Sequence, residues 1–159
     1  MISAKGTGTA SGRGGRAVNI DFSVRLPVDA RSLPLIRGLV RQTLEHLGVL
    51  SSGIDEILLA LSEACANVIQ HARDQEEYQV DVVIDDQVCV ISVLDDGGGF
   101  DLDAVSAARP ESPLDGGRGL ILMNALVDRL AFVQDESGRH RVTLEKRLVT
   151  SPRLRLLPT

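Results

Sequence analysis

At 159 residues, of which 43% are hydrophobic, the chain is long enough for one domain with an ordinary core and too short for two. Its formal charge of −5 is spread along the sequence without a basic stripe, and aromatic residues make up only 3% of it with no Trp, so neither a phosphate-backbone surface nor a base-stacking platform is expected, nor a direct nucleic-acid partner. Cys65 and Cys89 stand singly in apolar stretches and read as buried, reduced thiols. No run approaches the roughly 18 apolar residues of a membrane span or forms the apolar core of a signal peptide, so a cytoplasmic protein is expected, with no membrane partner.

Residues 1–16 are rich in Gly, Ser and Thr, a composition that cannot offset the entropy of ordering, and are expected to be a flexible tail. From Val18 to Leu26 apolar and polar residues alternate with the period of a half-buried strand, which Pro27 ends. Between Asp29 and Leu47, Ile36, Leu39, Val40, Leu44 and Leu47 recur at helical spacing, and Gly48 closes that helix. Ser52 is placed to cap a second helix, where Ile54, Ile57, Leu58, Leu61, Cys65, Val68 and Ala72 form one apolar stripe. Two alternating runs, Tyr78 to Asp85 and Val88 to Asp95, read as an antiparallel hairpin. Residues 96–116, dominated by small and polar residues with Pro110 and Pro113, read as a long loop of the kind that acts as a lid. A short helix from Gly119 to Val127 and a hairpin, Arg129 to Asp135 and Arg141 to Leu148, follow, and residues 149–159 read as a tail. Residues 17–148 are thus predicted to form an α+β two-layer sandwich, a mostly antiparallel sheet with helices on one face.

Three short segments carry chemistry. Glu63, Asn67 and His71 are spaced by four, so on a helix each advances about 40° from the last and the three form one polar stripe. A solvated helix face would account for any one of them, but a mid-helix Asn has poor propensity and offers an amide oxygen suited to Mg²⁺. In the second segment a strand runs into Asp95-Asp96-Gly97-Gly98-Gly99, and a plain turn needs one glycine where three permit close approach of backbone to a ligand. The third, Gly116-Gly117-Arg118-Gly119-Leu120, opens a helix whose free N–H groups favour an anion such as phosphate.

The order and spacing of these segments resemble those of the GHKL ATPases, and most closely the small anti-sigma-factor serine kinases, over about Val18 to Lys146. Glu63-Ala64-Cys65-Ala66-Asn67 with His71 resembles the family's helix motif, Asp95-x-Gly97-x-Gly99 its first glycine box, and Gly117-Arg118-Gly119-Leu120 its second. The resemblance implies a Bergerat-type fold that binds Mg²⁺ and ATP. In it Asp95 would accept a hydrogen bond from the adenine amino group, Gly97 and Gly99 would admit the purine, and Asn67 would hold Mg²⁺. Gly117 and Gly119 would bring N–H groups to the phosphates with Arg118 offsetting their charge, and Glu63 would orient the attacking hydroxyl. It further implies a homodimer that sequesters a sigma factor and phosphorylates a serine of an anti-sigma-factor antagonist. One position departs from the pattern: where the family carries Thr at the start of the last strand, this chain has His140, and Thr143 would substitute only in a different hairpin register. The alternative is a non-catalytic, ATP-gated protein-binding module, which has no use for a carboxylate at Glu63. The catalytic part of a histidine sensor kinase is disfavoured, since His46 and His71 both fall in helices of the sandwich itself.

Overall fold

A computed structural model describes residues 2–3, 19–72, 74–96 and 118–151. In chain order the elements are β1 (Ile2–Ser3), β2 (Ile20–Pro27), α1 (Ser32–His46), α2 (Ser51–His71), β3 (Glu77–Ile84), β4 (Val88–Asp95), α3 (Arg118–Leu126), β5 (Arg129–Gln134) and β6 (His140–Arg147). The described strands form one sheet in the order β1-β2-β3-β4-β6-β5, every neighbouring pair antiparallel. This is the α+β two-layer sandwich expected from the sequence, and its topology follows from two hairpins, β3–β4 and β5–β6, joined edge to edge through β4 and β6.

Period-two alternation decides which face is covered. On β3, Tyr78, Val80, Val82 and Ile84 are buried, and on β4 Cys89, Ile91 and Val93 join them, together with Val142 and Leu144 of β6. Against this face lie Ile36, Val40 and Leu44 of α1, Ile54, Ile57, Leu58, Leu61, Cys65 and Val68 of α2, and Met123 of α3. Each fully buried aliphatic side chain contributes roughly 1.5–3 kcal/mol, so the α2 stripe is the main tie between the layers. The opposite sheet face mixes exposed Val83 and Val133 with polar groups: Ser23 Oγ donates to Asp81 Oδ1 (2.6 Å), Gln79 Nε2 donates to the same oxygen (2.7 Å), and the Ser92 and Thr143 hydroxyls lie 3.2 Å apart.

A buried polar joint fixes α2 against β3 and the start of α1. The Tyr78 hydroxyl lies 2.7 Å from Ser32 Oγ, Ser32 Oγ donates to the Asp29 carbonyl (2.8 Å), and the Cys65 thiol lies close to Tyr78. Burial pushes the Cys65 thiol up to about 12 and also raises the Tyr78 hydroxyl, so both stay neutral and the joint carries no charge. Both cysteines are free and buried, as expected.

The structure corrects three expectations. Ser52 does not cap α2: the N-cap is Leu50, in extended conformation and without a side-chain cap bond, because the chain arrives there already held by Leu50 N–H to the Val149 carbonyl (2.9 Å). That bond, the Val49–Thr150 bridge and Ser151 N–H to the Gly48 carbonyl (2.9 Å) also carry ordered structure past Leu148, into residues expected to be tail. At the other end Ile2 and Ser3 pair with Val24 and Ser23 of β2, a pairing too short to leave a periodic signal in the sequence. The expected lid, 96–116, lies outside the described residues apart from Asp96. No helix among the described residues is long and apolar enough to cross a membrane.

Candidate functional site

The polar stripe of α2 is not a solvated face over its whole length. Glu63 and Asn67 are half-buried and only His71, in the last turn, is exposed. What covers them is α3, which packs against α2 with its first turn over Glu63. Gly119 makes that approach possible: a Cβ there would stand 2.8 Å from Glu63 Oε2 and 3.7 Å from Asn67 Nδ2. The helix and second-glycine segments, 52 residues apart from Asn67 to Gly119, are thereby in direct contact. Arg118 is exposed at the first position of α3, and Leu120 turns inward against the core.

The other end of the site is built by the sheet. Asp95, the last residue of β4, is only 4% exposed, because it continues the Cys89, Ile91, Val93 parity and faces the helices. Its register partner is His140, the first residue of β6, and the two lie on the same face. The turn that delivers His140 is fixed by Asp135, whose Oδ1 accepts from Ser137 Oγ (2.6 Å), Ser137 N–H (2.9 Å) and Arg139 N–H (2.9 Å). These bonds, the Ser137 hydroxyl first, hold the Asp135 carboxyl below its usual pKa. On the other face of the same strand ends, Arg139 Nε and Asp96 Oδ1 form an ion pair at 2.6 Å. Asp95 and His140 are thus flanked by a second clamp between the same two strands.

Between these ends runs a cleft lined by Asn67, Val68, His71, Val93, Asp95, His140 and Val142. Its lining sets the polar Asn67, His71, Asp95 and His140 beside the apolar Val68, Val93 and Val142. The site residues foreseen from the sequence separate accordingly. Asn67, His71 and Asp95 share the cleft, and Glu63 and Gly119 join at its α3 side. Gly97, Gly99 and Gly117 lie outside the described residues. Thr143 does not reach the cleft: it pairs with Ser92 on the polar face, since the register is the one that sets His140 against Asp95 and residue 143 has the opposite parity. The wall residues Val68, Val93 and Val142 were not foreseen, although each is legible as the neighbour, or the parity mate, of a residue that was.

Whether the site suits a metal-bound phosphate can be tested on its own groups. Glu63 and Asn67 are half-buried, yet among the described residues their side chains make no hydrogen bond or ion pair, so a carboxylate and an amide oxygen are left for a hard cation or a hydroxyl. They stand beside the N-terminal turn of α3, whose free N–H groups and dipole favour an anion. The donor set therefore fits Mg²⁺ shared with phosphates. No group of three or more His, Cys, Asp or Glu that would hold a metal by itself occurs among the described residues.

Comparison with known proteins is consistent with this geometry. Residues 26–146 match the family model described as the histidine kinase-like ATPase domain. Relatives include the serine-protein kinase RsbW of Bacillus velezensis, 30% identical over 77% of this chain and 83% of the relative, and RsbW of Bacillus cereus, 27% identical over 72% and 78%. Among solved structures, the RsbU and RsbW domains of Rv1364c from Mycobacterium tuberculosis match with a TM-score of 0.60 at 21% identity, covering 82% of this chain. This chain spans a third (33%) of that longer one. The SiaB-SiaC complex from Pseudomonas aeruginosa matches with a TM-score of 0.55 at 16% identity, over 79% of this chain and 88% of that one. The two structures speak to the fold alone.

Proposed function

The chain belongs to the histidine kinase-like ATPase domain family, and we propose that within it the protein is an anti-sigma factor with serine kinase activity, which binds Mg²⁺ and ATP and phosphorylates a serine of an antagonist protein. One observation carries this reading: Glu63, a half-buried carboxylate with no partner among the described residues, stands against the first turn of α3 and one helical turn from Asn67. A module that only binds nucleotide gains nothing from leaving such a carboxylate unpaired. A kinase needs one there.

The residues then divide the work along the cleft. Asp95 accepts the adenine amino group, with Gly97 and Gly99 admitting the purine beside it. Gly117, Arg118, Gly119 and Leu120 form the phosphate end, where the α3 N–H groups and the Arg118 guanidinium offset negative charge. Asn67 would hold Mg²⁺, which when bound would supply positive charge beside the phosphates. Glu63 orients the serine hydroxyl; as its oxygen bonds to the γ-phosphorus, the bond from that phosphorus to the β–γ bridging oxygen breaks, ADP leaves, and the hydroxyl proton passes to the Glu63 carboxylate. Such transfer runs through a loose transition state, so orientation and late proton acceptance suffice. The partners in this reading are a sigma factor, held inactive by a homodimer of this chain, and the antagonist whose unphosphorylated form releases it; names of RsbW relatives as serine-protein kinases support the activity.

The test is incubation with labelled ATP and Mg²⁺ beside candidate antagonists from the same genome, reading label on serine. Glu63→Gln should lower single-turnover transfer on the order of 10²- to 10⁴-fold while ATP and partner binding survive. Transfer at the wild-type rate by that variant, or none by the wild type to any antagonist, would leave an ATP-gated binding module as the function.

A further inference from the structure

The first turn of α3 makes one side of the site, and its last turn is held from outside the helix. Its nine residues include no basic side chain in the last turn to meet the helix dipole and the unpaired carbonyls there. Lys146 of β6 supplies what is missing: its Nζ donates to the Leu126 carbonyl (2.7 Å) and stands 2.5 Å from Glu56 Oε2 of α2. Lys146 is the register partner of Cys89 and shares its helix-facing side of the sheet, so its stem runs between the layers beside Ile57, Val127 and Leu144 and its side chain is only 19% exposed. One ammonium thus joins β6, α2 and the end of α3. The chain just past the helix is tied to the same strand, Asp128 N–H donating to the Glu145 carbonyl (2.9 Å) and Arg147 N–H to Asp128 Oδ2 (2.6 Å).

We propose that Lys146 is a positioning residue for the phosphate end of the site that acts through α3: by fixing the Leu126 end against α2, it sets how closely Gly119 lies on Glu63. This rests on the role given to Glu63 in the proposed function. The fulcrum is Met123, fully buried near the middle of the helix. Gly119 stands four residues before it and Leu126 three after, roughly 6 and 4.5 Å along the axis. A rigid helix rocking on Met123 therefore turns a displacement of about 1 Å at Leu126 into one of about 1.3 Å at Gly119. That is the point where a Cβ would already stand 2.8 Å from Glu63 Oε2. Misplacement of this size can cost transfer about 10²-fold. Folding is less exposed to the loss. Removing one partner of an ion pair is costly when the other is stranded in the interior, but Glu56 is 44% exposed and can turn to water, so Lys146→Met, which keeps the stem, should still fold.

The experiment compares the wild type with Lys146→Met, Lys146→Arg and Lys146→Gln, with circular dichroism and urea unfolding establishing that each is folded under the assay conditions. The Gly119 amide resonance of the nucleotide-free protein reports how α3 lies on Glu63. Single-turnover transfer to the antagonist and adenosine affinity report the two ends of the site. In Lys146→Met the Gly119 resonance should move, transfer should fall roughly 10- to 100-fold and adenosine binding should stay at the wild-type value. Lys146→Arg keeps a charged donor and should restore both the resonance and most of the transfer. A purely structural role would lower the urea midpoint and leave the Gly119 resonance and transfer by the folded protein unchanged. That result, or a loss of transfer with the Gly119 resonance unmoved, or an equal loss in Lys146→Arg and Lys146→Met, overturns the inference while the wild type still transfers. A wild type that transfers to no antagonist overturns the proposed function, and the role given to Lys146 with it. If Lys146→Met does not fold, Lys146→Gln, uncharged and one atom shorter than Lys, carries the comparison.

Discussion

Gly119→Ala should separate catalysis from folding and from nucleotide affinity. The added Cβ would stand 2.8 Å from Glu63 Oε2, and ordinary contact begins at about 3.4 Å, so the carboxylate must withdraw by several tenths of an ångström. Glu63 can do so, since the atom met is the far end of a flexible side chain, and Asn67 Nδ2 at 3.7 Å needs no movement. Stability should therefore stay within about 1 kcal/mol of wild type, the strain being set against the helix preference of Ala over Gly. Transfer should suffer more, because a misplacement of about 1 Å can cost 10²-fold; a smaller shift should cost roughly 10- to 100-fold. The assay is single-turnover transfer to the antagonist with ATP affinity and urea unfolding measured beside it, for Gly119→Ala, Glu63→Ala and the double variant. If Gly119→Ala acts by displacing Glu63, it should cost almost nothing once Glu63 has been cut back to Ala. A wild-type rate in Gly119→Ala, or an equal loss in both backgrounds, refutes the argument.

Asn67→Ala should weaken Mg·ATP binding itself and leave adenosine binding near wild type, since it deletes a metal ligand and no base contact; calorimetry with and without Mg²⁺ checks it. Asp95→Asn replaces a charge-assisted acceptor of roughly 1.5–3 kcal/mol, so ATP affinity should fall about 10- to 100-fold and the preference for ATP over GTP should shrink. Near-equal wild-type affinities for ATP and GTP would remove Asp95 from base recognition. Alkaline pH should destabilise the fold under reducing conditions: burial pushes the Cys65 and Cys89 thiols from an ordinary 9.0 up to about 12, so the folded chain holds protons that the unfolded chain has released. Their contribution is fully present below pH 9 and is lost as pH rises from about 9 toward 12. Urea midpoints should fall steeply over that window, and less so in Cys89→Ala than in the wild type.

The parts of the fold that were legible in the sequence are those with a sustained period. The α2 stripe and the β3 and β4 alternation each fix a face over many residues, and the structure buries those faces. Ends were less legible, because they are decided by partners distant in sequence: α2 begins at Ser51 without a side-chain cap because Val149 holds Leu50, which no local pattern announces. The site divides along the same line. Glu63, Asn67 and His71 lie on one helix, where spacing alone places them on one face, and Asp95 closes a strand whose parity already points inward. Thr143 and His140 belong to a strand that follows a turn, and a single residue more or less in that turn exchanges the two faces of everything after it. The sequence from Ser137 to Arg141 admits either count. What decides between them is Asp135, whose carboxylate gathers the N–H groups of Ser137 and Arg139 into one turn, so that β6 starts at His140 opposite Asp95. The choice between a hydroxyl and an imidazole at the base end of the cleft is therefore made five residues upstream, by a solvent-exposed aspartate that touches neither Asp95 nor the cleft.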